Sequence, residues 1–221
     1  MGVFACRKVF TNDSFEYVTE VDLQLESFRE YIALTEENVV KDIEKQIKAY
    51  NKFLEEASEI EIEHMHDFVD HEIKINTRQL YYHSLFISLY SFLERKMFQL
   101  CRISEPNQSL KIKDISGEGI FKFYTYIKKV LKIDVDALNT EWTEITKYNK
   151  LRNRIVHFPT NTIDKTDNDK LINQLKSIQH LTLNEKIDFF EFEITDTKLL
   201  LEFCFTTSKF LFKIYHEEVK L

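Results

Sequence analysis

Turn-forming residues are nearly missing from this chain. Its 221 residues include three glycines (Gly2, Gly117, Gly119) and two prolines (Pro106, Pro159). A dinucleotide-binding turn or a phosphate loop needs several glycines together so that backbone can approach phosphate, and Gly117-Glu118-Gly119 lacks the rest of either motif. A sandwich or barrel of many short strands is equally hard to build without turn formers. Long helices need few turns, so the scarcity itself argues for an all-α fold. Cysteine is sparse too: Cys6, Cys101 and Cys204 are odd in number and far apart. They read as reduced, mostly buried thiols, neither a disulfide frame nor a zinc knuckle. The longest apolar stretch, Leu85 to Leu93, is broken by Ser88, Tyr90 and Ser91 and is too short to span a bilayer. The N-terminus lacks the apolar core and small-residue cleavage site of a secretory signal. A cytoplasmic chain with no membrane contact is the expectation.

Hydrophobic residues make up 43% and charged residues 30%, proportions that suit one sizeable globular domain spanning residues 1–221. The helical pattern starts at Phe15 and runs to about Ile60, with Phe28, Ile32, Val39, Ile43, Ile47, Tyr50 and Leu54 spaced mostly by three, four or seven. Thr35 with Asn38 could cap a fresh start there, leaving one helix or two. Glu36, Glu37, Glu44, Glu55 and Glu56 read as its solvated face. Residues Thr77 to Arg102 are apolar on most of the helix circumference, as in a central helix buried on several sides. In that helix Ser84, Ser88, Ser91 and Arg95 form a narrow stripe against which another helix can approach closely. A polar connector, Ser104 to Ser116, leads to a helix over Gly119–Lys132. The next helix covers Leu138–His157, with Trp142, Ile145, Tyr148, Leu151 and Ile155 inward and Pro159 ensuring that it stops. A polar loop, Thr160 to Asp169, precedes a short helix near Lys170–Gln179. Alternation of Phe190, Phe192 and Ile194 with Glu191 and Glu193 predicts a small β-hairpin over Leu181–Ile194. A last apolar helix over Thr197–Val219 closes the domain.

The chain carries a formal charge of −7, so any anion site must be a local patch. One window stands out. Acidic residues fill 37 of 221 positions, yet none occurs among the 19 residues Ile145–Ile163. About three would be expected there at the average rate. Lys147, Lys150, Arg152 and Arg154 lie inside that window. An acidic protein that clears one helix end of carboxylates makes a place for a large anion, for which a phosphate backbone is the leading candidate. A basic turn that merely balances the acidic first helix is the alternative. Asn149, Asn153 and His157, spaced i, i+4, i+8, share one helical face, with Arg152 at its edge. Arg152 and His157 stand about 140° apart on an ideal helix. They can converge on one ligand if Arg152 extends and His157 sits at a frayed last turn, or if two copies of the helix face each other.

Arg152-Asn153-Arg154-Ile155-Val156-His157 resembles the Arg-x4-His signature of the HEPN superfamily, including the polar residue directly after the arginine. The stretch LFISLYSFLERK resembles the central helix of HEPN proteins from bacterial defence and toxin-type loci. The resemblance covers Thr77 to Val219. It implies a HEPN-like helical bundle and a metal-independent endoribonuclease without cofactors. It also implies a homodimer whose Arg/His pairs line one cleft, with an antitoxin or defence-system protein as a possible further partner. On that reading His157 acts as general base or acid, Arg152 holds the scissile phosphate, and Asn153 orients His157 or a phosphate oxygen. Lys147, Lys150, Arg154 and Asn149 contact RNA. Glu94, the one acid in its apolar, serine-rich stretch, is a candidate partner for Arg152 or Arg95, or simply a solvated helix-end acid. One HEPN subgroup carries a tyrosine two places past the histidine, modified by a partner nucleotidyltransferase. Pro159 occupies that place here.

The sequence also holds competing constellations. Arg78 and His83 repeat the same spacing, but at the start of a buried helix, with neither the following asparagine nor acid-free surroundings; they read as a decoy, with a helix-start phosphate contact as the alternative. His64, Asp67 and His71, spaced i, i+3, i+7, are metal-ligand types on one helical face and would define a metal hydrolase. The main rival to cleavage is a non-catalytic module of the same bundle that dimerises, docks a partner, or holds RNA without cutting it.

Overall fold

The computed structural model describes residues 12–54, 59–134, 138–157, 161–166 and 169–220; within them the side chains of 12–16, 18, 59–68, 70 and 216–220 lie outside the description. In chain order the elements are α1 (Asn12–Leu54), α2 (Glu59–Ser104), two single 3-10 turns (Glu105–Asn107 and Ile112–Asp114), α3 (Gly119–Lys129), α4 (Asn139–His157), β1 (Thr162–Asp164), α5 (Asp169–Lys176), β2 (Leu181–Glu185), β3 (Phe189–Ile194) and α6 (Lys198–Lys220). The described chain is thus mostly α-helical, with one small antiparallel sheet. It divides into two compact units, one holding the residues up to Phe28 with Ser88–Asn149 and Glu202–Leu221, the other Arg29–Ile87 with Lys150–Leu201. Helices α1, α2, α4 and α6 each supply residues to both.

In the first unit α1 buries Tyr17, Val21 and Leu25, one face at steps of four. Facing them is an unusual choice of core residue, Lys96 of α2, only 1% exposed. Burying an ammonium is costly unless it is paired. Here Nζ lies 2.8 Å from Glu20 Oε2 and donates at 3.2 Å to Gln99 Oε1. The Tyr17 and Phe92 rings stand 5.7 and 5.8 Å from it, within cation–π range. The hydrogen bond from Lys96 holds the Glu20 carboxyl below the usual carboxylate range. Trp142, expected on the inner side of α4, stacks on Tyr124 with ring centroids 3.8 Å apart. Gly119 begins α3 at φ +52°, a backbone conformation that favours glycine, and the atom nearest a Cβ there would be the end of the flexible Glu94 side chain.

In the second unit α1 continues without a break. Thr35 does not cap a new helix; it is buried along with Ile32, Val39 and Ile43. Tyr82 Oη donates to Glu36 at 2.5 Å, and Tyr81 Oη donates to Asp42. Thus part of the acidic face of α1 binds tyrosines of α2 instead of water alone. The predicted hairpin is present as β2 and β3, in register Leu181↔Ile194 through Glu185↔Phe190. A third strand forms within residues 160–169, which the sequence predicts as a polar loop. β1 pairs antiparallel with β3 (Thr162↔Glu191, Ile163↔Phe190), giving the order β1-β3-β2. Ile163 is the reason: it is 1% exposed, and burying an isoleucine side chain stabilises by about 1.5–3 kcal/mol. At the far end of β3, Gln79 of α2 imitates a strand. Its Nε2 donates to the Ile194 carbonyl at 3.0 Å, and its Oε1 accepts from the Ile194 N–H at 2.9 Å.

The serine stripe of α2 lies on an exposed side of the helix. Ser84, Ser88, Ser91 and Arg95 are all exposed. Arg95 donates to Gln24 at 3.4 Å. No helix among the described residues is long and apolar enough to cross a membrane.

Candidate functional site

α4 carries the acid-free window, and its charges follow the helix dipole. Glu141 sits in the first turn, with Arg154 and His157 in the last, where partial negative charge favours cations. The buried positions of α4 are Glu141, Ile145, Tyr148, Leu151 and Arg154. Steps of three fall short of a full turn, so the buried side winds around the helix toward its C-terminus. By the last two turns it is defined by Leu151 and Arg154. The middle of the arc from Arg152 to His157 lies roughly opposite those two on an ideal helix. Exposure agrees: Asn153, Val156 and His157 are exposed and Arg152 is half-buried. The 140° separation therefore does not divide Arg152 from His157 between inside and outside. Both border the same open side.

Arg152 Nη1 donates to Asn153 Oδ1 at 3.1 Å. The asparagine beside the arginine thus engages the guanidinium directly. Asn149 is held from below, its Nδ2 donating to Tyr90 Oη across the first unit. Lys147 Nζ lies 2.8 Å from Glu144 Oε1, an acid just outside the acid-free window. Lys150 Nζ donates to Gln174 Oε1 of α5. Arg154 is only 9% exposed, on the buried side where Ile155 was expected, and Ile155 itself is half-buried. Of the window's residues, Arg152, Asn153 and His157 share the open side, whereas Arg154 is withdrawn into the fold. Glu94 is half-buried beside Gly119. Of the two cations named as its partners, Arg95 bonds Gln24 instead. Pro159 lies outside the described residues.

The second Arg-x4-His spacing is built differently. Arg78 Nη1 lies 3.7 Å from Glu193 Oε1. His83 packs its ring against Phe192, centroids 5.8 Å apart, and its Nε2 is buried with no hydrogen-bond partner among the described residues. Burial pushes its pKa down to about 4. It is a half-buried histidine whose Nε2 faces inward. Of the metal-type cluster, the His64 and Asp67 side chains lie outside the described residues and His71 is exposed. Among the described residues no group of three or more such side chains could hold a metal ion.

Sequence reasoning passed over a second basic surface. Arg102 at the end of α2, Lys111 and Lys113 in the connector, and Lys122 of α3 line one cleft of about 580 Å³ together with Phe98 and Phe123. Its signal was available: Lys111 and Lys113 flank the buried Ile112, and Gly119 to Ile133 contains no acid. No known protein family, no characterised protein and no solved structure matches the chain.

Proposed function

We propose that this chain is a metal-independent endoribonuclease of the HEPN type, acting as a homodimer in a toxin or phage-defence setting. The observation that carries the reading is the shared open side of Arg152, Asn153 and His157 at a helix end cleared of carboxylates. Arg152 brings a permanent cation with a planar donor fork suited to phosphate oxygens. The hydrogen bond to Asn153 limits its freedom before substrate arrives. The exposed imidazole of His157 takes the proton from a ribose 2′-hydroxyl. The 2′-oxygen then attacks the adjacent phosphorus and the bond to the 5′-oxygen breaks. The second protomer's copy of this histidine returns a proton to the leaving 5′-oxygen, and Arg152 offsets the charge that builds on the phosphate. Products end in a 2′,3′-cyclic phosphate and a 5′-hydroxyl, with no metal required.

The test is cleavage of an end-labelled single-stranded RNA with and without chelator. His157→Ala should lower the rate by about 10²–10⁴, and Arg152→Ala by about 10²–10³. Chelator should change nothing. Equal behaviour of wild type and both variants removes the ribonuclease reading. RNA bound by all three but cut by none identifies the non-catalytic module, and chelator-sensitive cleavage identifies a metal hydrolase.

A further inference from the structure

We propose that the cleft between the end of α2, the connector and α3 is a binding groove for a single strand of RNA. Its choice of RNA over DNA rests on the ribonuclease reading; the recognition of a strand does not. The lining holds four cations, Arg102, Lys111, Lys113 and Lys122, against one carboxylate, Glu105. Glu105 pairs with Arg102 at 3.0 Å through one oxygen and accepts from the Ile112 N–H at 2.8 Å through the other, so those two charges offset each other and Lys111, Lys113 and Lys122 carry the excess. Lys111 Nζ donates to the carbonyls of Glu105 and Gln108, both at 3.0 Å, so these neutral acceptors fix its position without cancelling its charge. The nearby Asp114 carboxylate accepts from the Lys111 backbone N–H at 2.9 Å. Lys113 is exposed and Lys122 half-buried. In a chain with a net charge of −7, this is a concentration of positive potential at one place.

Charge alone describes any solvated lysine patch; the rings make this one specific. Phe98 is 43% exposed, one of several exposed large apolar side chains among the described residues, and it lines the cleft beside these cations. Its centroid lies 5.5 Å from that of the half-buried Phe123 at an interplanar angle of 47°. Aromatic faces set among phosphate-binding cations are how sequence-tolerant single-strand sites work: bases stack on the rings while the backbone follows the cations. A cleft of about 580 Å³ has room for a base with its sugar and phosphate. A duplex keeps its bases stacked on each other and offers the rings nothing, which commits the cleft to unpaired nucleotides.

Binding is measured by fluorescence anisotropy of a labelled single-stranded RNA of about a dozen nucleotides. All proteins carry His157→Ala to prevent cutting. Lys113→Ala/Lys122→Ala should weaken binding about tenfold and lower the salt slope by about two. Phe98→Ala should weaken it about tenfold with the slope unchanged, and excess unlabelled duplex should compete poorly. The control pair Lys128→Ala/Lys129→Ala, exposed on the same helix but outside the cleft, should bind like its parent. Parental affinity in the cleft variants overturns the proposal, as does equal loss in the control pair. Displacement by free nucleoside monophosphate as effective as by the strand also overturns it, since that marks a mononucleotide pocket. If wild type cuts no RNA but the cleft variants still lose strand binding, the ribonuclease reading fails and the groove stands. Cleavage with unaltered binding in the cleft variants is the reverse outcome.

Discussion

At the scale of single residues, two histidines with the same upstream arginine spacing have opposite surroundings. His157 ends α4 in the open, whereas His83 is half-buried against Phe192. Because burial lowers the His83 pKa to about 4 from an ordinary 6.5, the unfolded chain binds the extra proton between those values. The stability that this difference contributes is fully present above about pH 6.5 and is lost as pH falls through about 4. Its size is about 3 kcal/mol. Urea unfolding at about pH 7 and about pH 4.5 should show this loss in wild type and a clearly smaller one in His83→Leu. Identical pH dependence in the two proteins would show that His83 does not link acid to unfolding. The motif was legible in the sequence because its spacing and its missing acids are local properties. The engagement of Asn149 by Tyr90 and the inward turn of Arg154 were not. The first depends on a partner 59 positions away, the second on a buried side that winds around α4.

At the scale of elements, period and length were enough to read the long helices and the β2–β3 pair. α1 stays whole because Thr35 fills a buried position instead of capping. β1 escaped notice for a physical reason: a three-residue strand with a single apolar side chain has no alternation to display, and it exists because β3 supplies the partner. The sheet's attachment to α2 through Gln79 carries its own prediction. Gln79→Leu strands the N–H and C=O of Ile194 together in a dry place, at about 1–3 kcal/mol for each group. Chemical denaturation should therefore show a loss of about 2–6 kcal/mol, with faster amide exchange at Ile194. A loss below about 1 kcal/mol would mean that water or a shifted strand end replaces the glutamine.

At the scale of the whole molecule, an acidic chain carries Arg152 and His157 at the end of α4 in one unit and the cations around Phe98 and Lys113 in the other. If two copies supply the two imidazoles needed for proton transfer, activity per chain must fall on dilution below the dimer dissociation constant. Light scattering over the same range should record the change from two chains to one. Undiminished activity per chain where only single chains are present rules out a shared cleft. The ammonium of Lys96 ties together two positions 76 residues apart in sequence. Exchange of Lys96 for a neutral residue leaves Glu20 and Gln99 facing one another with no cation between them. Exchange of Glu20 leaves an ammonium enclosed by rings and an amide. Loss of either charge leaves the other without its counter-ion at the edge of the core, so the two positions act as one unit and are best exchanged together.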